Sequence, residues 1–132
     1  MHIHARIHSS ADHFETAVQT NATVQILPLP PKPTGQGGAV NGGELLLLAL
    51  ATCFCNDLYR EAARRGLALK SVAVECSAEF GAEGQPGTGF CYRAQVEADA
   101  PAADLEELLA HTDRVAEVHN TLRQGVTVTR LP

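Results

Sequence analysis

A long apolar run near the middle of the chain restricts its fold more than any other feature. Residues 44–57 read ELLLLALATCFCND, a string rich in strong helix formers. Asn41 and Glu44 stand three apart at its start, the spacing of a capping box. Gly66 follows two arginines, which is typical of a helix end. The sequence therefore predicts one helix over residues 41–66. Its first half is apolar on nearly every side, so it must be buried from more than one direction.

The segments on either side of this helix predict strands and two short helices. Alternating or β-branched patterns predict strands at 2–8, 14–20, 22–27, 71–80, 90–98 and 126–129. Residues 28–40 are rich in Pro and Gly and predict a loop without regular structure. Amphipathic patterns predict helices at 101–110 and 113–122. This order indicates the α+β class, in a single domain that spans residues 1–132.

Composition and charge exclude several classes of function. The 132 residues are 45% hydrophobic and 19% charged, which is typical of a globular chain. The formal net charge is −5 and there is no basic stripe, so nucleic acid is not an expected partner. The apolar run is too short to span a bilayer. No secretory signal is recognised, and four cysteines then indicate reduced thiols in the cytoplasm. Covering so apolar a helix in so short a chain predicts a homodimer.

Cys53 is the first candidate for chemistry, and the residues around it leave two interpretations open. A thiol within a buried helix is inert unless a positive charge lowers its pKa. Asp57, one turn away, would raise that pKa, and Arg60 is the nearest cation on the same face. The residues alone favour a buried core thiol over a nucleophile. Cys55 is rotated about 200° from Cys53 on a helix, so the two cannot share a metal or form a disulfide easily.

The other cysteines and the histidines carry weaker signals. Cys76 falls on the apolar side of its predicted strand, and Cys91 falls on the polar side and is expected to be exposed. The polar face of the first predicted strand carries three histidines: His2, His4 and His8. Two more histidines, His111 and His119, are predicted to lie on the surface. No spacing of these residues matches a known metal or cofactor motif, so neither a metal nor a cofactor is predicted.

The stretch NGGELLLLALATCF at residues 41–54 resembles the central helix of the osmotically inducible protein C / organic hydroperoxide resistance (OsmC/Ohr) family. Residues 65–74 and 119–126 are also similar to that family, as is the Gly-rich loop before the helix. The resemblance implies an OsmC-like fold, in which antiparallel sheets wrap around a long central helix in an intertwined homodimer.

The resemblance also implies a reaction. In the active members a cysteine, here Cys53, attacks a small organic hydroperoxide. An arginine and a glutamate activate this cysteine, and a second cysteine resolves the sulfenic acid that forms on it. Arg6 is the only arginine in the N-terminal strands and is the candidate for the first of these. The glutamate's position falls at Gly43, next to Glu44, which is the candidate carboxylate.

The position of the resolving cysteine falls at Ala116, which has no thiol. The expectation is therefore a weak, one-cysteine hydroperoxide reductase that depends on an external thiol reductant. The alternative is a non-catalytic dimer that binds a small apolar ligand in its interface pocket.

Overall fold

The computed structural model describes residues 1–132 and contains two antiparallel sheets and three helices. In chain order the elements are β1 (Ile3–Ser9), β2 (Phe14–Thr20), β3 (Thr23–Ile26), α1 (Gly42–Arg64), β4 (Leu69–Glu79), β5 (Thr88–Ala98), α2 (Ala102–Val115) and α3 (Glu117–Gln124). The predicted α+β class is confirmed. The chain divides into two compact units, Met1–Leu45 and Leu46–Pro132. A single domain stays a prediction.

The first unit is a three-stranded meander followed by the Pro/Gly-rich loop. Strands β1, β2 and β3 pair in that order. Asn21 makes the β2–β3 turn with a positive φ of 51°, which asparagine tolerates better than most residues. Its side-chain oxygen accepts a hydrogen bond from the backbone N–H of His2 at 3.0 Å, so the turn is tied to the start of β1. In the loop, Pro31 and Gly38 form an isolated bridge.

Both predicted ends of α1 are confirmed by their hydrogen bonds. The backbone N–H of Asn41 donates to Oε2 of Glu44 at 2.8 Å, and the N–H of Glu44 donates to Oδ1 of Asn41 at 2.9 Å. This reciprocal pair is the capping box. At the other end Gly66 has a φ of +69°, and the N–H of Leu67 donates to the carbonyl of Ala62 at 2.9 Å. A left-handed glycine closes the helix, as glycine does at little steric cost.

The core of the second unit lies along one face of α1. Phe54, Leu58 and Ala62 are buried there at helical spacing, with Leu108 of α2 and Ala116. Alternate residues of the β4–β5 hairpin pack against them: Val72, Val74, Tyr92, Ala94 and Val96. Burying a side chain such as Leu58 contributes about 1.5–3 kcal/mol. This packing fixes the rotation of α1, and therefore where Cys53 points.

The C-terminal part departs from the predicted boundaries. α2 continues to Val115 because Thr112, one turn beyond Leu108, is also buried and donates its hydroxyl to the Leu108 carbonyl at 2.8 Å. The predicted strand at 126–129 is wrong, since residues 125–132 have no regular structure. Val128 is 92% exposed, and no strand pairs with its segment in this chain. A strand without a neighbour leaves its backbone groups unpaired and does not persist.

Candidate functional site

Cys53 lies half-buried on α1, between the core face of the helix and the first turn of α3. Its sulfur is 3.5 Å from Oδ2 of Asp57, one turn further along the helix, and the thiol donates to that carboxylate. The backbone of Val118, in the first turn of α3, lowers the pKa of the same thiol. The unpaired N–H groups of a first turn favour a negative charge, so α3 and Asp57 act on the thiol in opposite directions.

The nearest cation, Arg60, is already engaged by carboxylates. Its Nη1 is 2.6 Å from Oδ1 of Asp57 and 3.9 Å from Oε1 of Glu117. Its Nε is 3.0 Å from Oε1 of Glu61, and that hydrogen bond is the main reason that the pKa of Glu61 is lowered. Arg60 therefore neutralises buried acids and is not free to stabilise a thiolate.

These contacts leave Cys53 as a neutral thiol near neutral pH. Burial raises its pKa, and the charge of Asp57 raises it further against the effect of the Val118 backbone. Burial also raises the pKa of the Asp57 carboxyl, which the Arg60 guanidinium opposes. The sequence correctly indicated the direction of the Asp57 effect. It did not indicate Glu117 or Val118, because the contact between α1 and α3 is formed only in the fold.

Cys53, Asp57 and Glu117 also place one potential metal-ligand atom each within 4.8 Å of one another. Sulfur and carboxylate oxygen are both ligands of Zn²⁺. Arg60 competes for the same Asp57 carboxylate at 2.6 Å, and Glu117 is exposed. We assign no metal to this group.

The other two predicted site residues lie in the first unit, and each has a local partner. Arg6 is on β1, where its Nη2 is 3.1 Å from Oε1 of Glu15. Glu44 holds the capping box of α1, next to Gly43. Ala116, where the resemblance predicts the position of the resolving cysteine, is fully buried between α2 and α3, two residues before Val118. No second thiol therefore occupies that position.

All four cysteines are free. Cys55 and Cys76 are half-buried, and burial raises the pKa of Cys76. Cys91 is exposed, as predicted, with its sulfur 3.0 Å from the hydroxyl of Ser77.

His119 corrects a prediction, because it is buried and not on the surface. Only 5% of it is exposed, and its ring lies 4.7 Å from that of Tyr92 and 5.4 Å from that of Phe54 between centroids. Both ring nitrogens lack a hydrogen-bond partner. Burial lowers the pKa of His119, Arg123 lowers it further, and the acids Asp113 and Asp57 oppose them. No local sequence signal marks this burial, because both His119 and Ala116, the residue that precedes α3, are buried by tertiary packing.

His111 is also less exposed than predicted. It is half-buried, and its Nε2 is 3.2 Å from Oε2 of Glu61.

A cavity of the second unit lies beside α3 and has a volume of about 560 Å³. Its lining includes aliphatic, aromatic and thiol side chains, among them Leu50, Phe90, Cys91, Tyr92, His119 and Leu122. Cys53 is not part of this lining. None of the helices combines the length and apolarity that crossing a membrane requires.

Comparisons with known proteins agree with this architecture. A family model described as OsmC-like protein matches residues 35–130. A search of curated proteins found no match. Among solved structures, an OsmC-like protein from Mycoplasma pneumoniae is 16% identical with a TM-score of 0.61, over 92% of this chain and 86% of that chain.

Two further solved structures carry hydroperoxide resistance in their descriptions. One, from Legionella pneumophila, is an organic hydroperoxide resistance protein OsmC, 22% identical with a TM-score of 0.56, over 93% of this chain and 90% of that one. The other, an OsmC-like hydroperoxide resistance protein from Jannaschia, is 15% identical with a TM-score of 0.60, over 98% and 92%. At these identities the likeness establishes the fold alone.

Proposed function

We propose that this chain, which belongs to the OsmC-like protein family, reduces small organic hydroperoxides slowly, with Cys53 as nucleophile and an external thiol as reductant. The observation that carries the proposal is the position of Cys53, a half-buried thiol on α1 whose pKa is lowered by the backbone of Val118, in the first turn of α3. Two proteins of the same fold are described as hydroperoxide resistance proteins, which supports this class of substrate.

The reaction has two stages. The Cys53 thiolate attacks the outer oxygen of the hydroperoxide, the O–O bond breaks, and the alkoxide takes a proton and leaves as the alcohol. Cys53 becomes a sulfenic acid. One molecule of the external thiol then displaces water to form a mixed disulfide. A second molecule releases the oxidised reductant and restores Cys53. The external thiol is needed because Ala116 supplies no resolver.

Slow turnover follows from the electrostatics around the sulfur. The attacking species is the thiolate, and burial together with Asp57 raises the pKa of Cys53. Arg60 is held by Asp57 and Glu61, so activation needs a further cation. We propose Arg6 for this role, with Glu44 as the carboxylate that orients it. In this proposal, activation of Cys53 requires Arg6 to leave its ion pair with Glu15.

The functional unit in this proposal is a homodimer. Along α1 a face opposite the core carries Leu48, 58% exposed, and Tyr59, 46% exposed, with Thr52 and Cys55 between them at helical spacing. An apolar stripe of this kind on a helix fits a second copy of the same helix. We also place the protein in a reducing cytoplasm, where free thiols and a small thiol reductant coexist.

The raised pKa of Cys53 favours a second candidate, a non-catalytic dimer that binds a small apolar ligand in its interface pocket. In that case the Cys53 thiol is unreactive and only contributes to packing. The two candidates differ in whether Cys53 consumes peroxide.

The test is peroxide consumption by the full-length protein with excess dithiothreitol. We expect cumene hydroperoxide to be consumed in preference to hydrogen peroxide, because a protein of the same fold is described as an organic hydroperoxide resistance protein. Cys53→Ser should abolish the activity. Cys76→Ser, a matched change at another half-buried thiol, should leave it unchanged. A wild-type protein without activity would leave the ligand-binding dimer as the function.

A further inference from the structure

We propose that the cavity beside α3 binds a flat, neutral aromatic molecule that carries one hydroxyl group, and that this hydroxyl pairs with the imidazole of His119. The cavity volume of about 560 Å³ is within the range of small-molecule sites. The cavity is formed within one chain and does not include Cys53. The proposal therefore does not rest on the peroxidase reaction or on a dimer interface.

The walls of the cavity favour a flat aromatic ligand. Phe90, Tyr92 and His119 contribute three rings, and Leu50 and Leu122 contribute aliphatic surface. Aromatic rings stack offset or edge-to-face, and these arrangements add to the free energy of burying apolar area. Tyr92 and His119 already meet edge-on at 4.7 Å between centroids. A ligand ring would extend that cluster toward Phe90.

The charges favour a neutral ligand over an anion. Arg123 lines the cavity, but its Nη2 is 2.6 Å from Oδ1 of Asp113, and its Nη1 donates to the Asp113 carbonyl at 3.0 Å. The Tyr92 hydroxyl also donates to the Asp113 carboxylate. Although burial opposes it, these bonds lower the pKa of Asp113, so the carboxylate keeps its charge and cancels that of Arg123. An anionic ligand would be desolvated without a free cation to pair with.

His119 supplies the polar anchor. Buried polar groups are nearly always hydrogen-bonded, and both nitrogens of this imidazole are exceptions. A neutral imidazole has one donor and one acceptor, and a hydroxyl can pair with either. Neither nitrogen touches water as the ring stands, so the ligand reaches one when the ring turns about its Cβ–Cγ bond, a torsion with broad minima. A hydrogen bond between the ligand hydroxyl and this nitrogen offsets part of the free-energy cost of leaving the nitrogen unsatisfied.

The test is a fluorescence titration of the full-length protein with three ligands of one shape: 2-naphthol, 2-methylnaphthalene and 2-naphthoate. The chain has no tryptophan, so naphthalene emission is free of that background. We expect 2-naphthol to bind about 3- to 10-fold more tightly than 2-methylnaphthalene, the range for one neutral hydrogen bond. We expect 2-naphthoate to bind more weakly than both. Absence of saturable 2-naphthol binding, or a preference for the anion, would overturn the proposal.

Variants separate the anchor from the cavity. His119→Phe keeps a ring between Phe54 and Tyr92, and should bind 2-naphthol and 2-methylnaphthalene equally. Leu122→Glu should weaken all three ligands by replacing aliphatic surface at the cavity wall with a charge. A ¹⁵N spectrum of the imidazole should change at His119 when 2-naphthol is added. If His119→Phe keeps the preference for 2-naphthol, the assigned anchor is wrong.

Cys53→Ser should bind 2-naphthol as the wild type does. Loss of peroxide consumption in that variant without loss of binding would confirm that the cavity and the thiol are independent. Loss of 2-naphthol binding in Cys53→Ser would contradict the assignment of the ligand to this cavity.

Discussion

At Cys53, burial together with the opposing effects of one carboxylate and one helix N-terminus sets the state of the thiol. Asp57 lies 3.5 Å from the sulfur and raises the thiol pKa, second only to burial among the raising effects. Replacing Asp57 with Asn removes its charge and also releases Arg60 from its closest partner. We expect Asp57→Asn to react with iodoacetamide at Cys53 several-fold faster than the wild type near neutral pH, as measured by mass spectrometry of the alkylated peptide.

The matched change is Arg60→Gln, which removes the cation and leaves the carboxylates. That variant should be alkylated more slowly than the wild type, because Arg60 would no longer neutralise the charges of Asp57 and Glu117, which raise the thiol pKa. Equal rates in the two variants would contradict the electrostatic account of Cys53 and leave burial as the only cause of its low reactivity.

His119 should make the stability of the protein depend on pH. Burial lowers its pKa below the ordinary value of 6.5, so the unfolded chain binds the proton more tightly than the folded one. Its contribution to stability is therefore complete above about pH 6.5 and lost as the pH falls through the folded pKa. We expect the free energy of unfolding in urea to fall over this range in the wild type and to be flatter in His119→Phe.

The same substitution should stabilise the protein by about 1 kcal/mol at neutral pH, since it removes two unsatisfied buried nitrogens and keeps the ring. His4→Phe, at an exposed position of β1, is the control and should change neither the slope nor the stability. A steeper slope in His119→Phe would mean that another group causes the pH dependence.

At the scale of the element, the start of α1 allows two roles of Glu44 to be separated. Its carboxylate accepts the Asn41 N–H at 2.8 Å, and a glutamine at this position can accept the same bond. Glu44→Ala should lower the free energy of unfolding by about 0.5–1 kcal/mol, whereas Glu44→Gln should cost little. If Glu44 also orients the activating cation, Glu44→Gln should lose hydroperoxide reduction at unchanged stability. Full activity in both variants would limit Glu44 to capping.

The elements that the sequence predicted well are those whose signals are local. The capping box at Asn41 and the glycine at Gly66 are short-range patterns, so both ends of α1 were predicted within a residue or two. The alternation of β4 and β5 was equally clear. The break between α2 and α3 was misplaced because it depends on burial of Thr112 and Ala116, which is a tertiary effect.

The candidate site was predicted less completely for the same reason. Cys53, Asp57 and Arg60 lie on one helix face, so their proximity follows from spacing alone. Glu117, Val118 and His119 reach Cys53 and the cavity only because α3 packs against α1, and nothing local in their sequence indicates that contact. The predicted strand at 126–129 failed because β-propensity does not supply a neighbouring strand.

At the scale of the whole molecule, α1 has one face in the core and one without a partner. Phe54 and Leu58 are at most 1% exposed, whereas Leu48 is 58% exposed and Tyr59 46% exposed on the same helix. The first sheet also carries exposed apolar residues, which likewise favour association: Ile3, Ile7, Val24 and Ile26. A chain of 132 residues with so much apolar surface is expected to cover it by association.

We therefore predict that the wild-type protein is a homodimer by light scattering at micromolar concentration, with α1 at the interface. Leu48→Glu should shift the mass toward the monomer, because a twofold contact places two introduced charges on the same apolar stripe and desolvates both. Glu106→Lys, at an exposed position of α2, is the control and should leave the dimer intact. A monomeric wild type would contradict the dimer. A dimer unaffected by Leu48→Glu and by Tyr59→Glu would place the interface on another surface, and the exposed β1–β3 sheet would be the next to test.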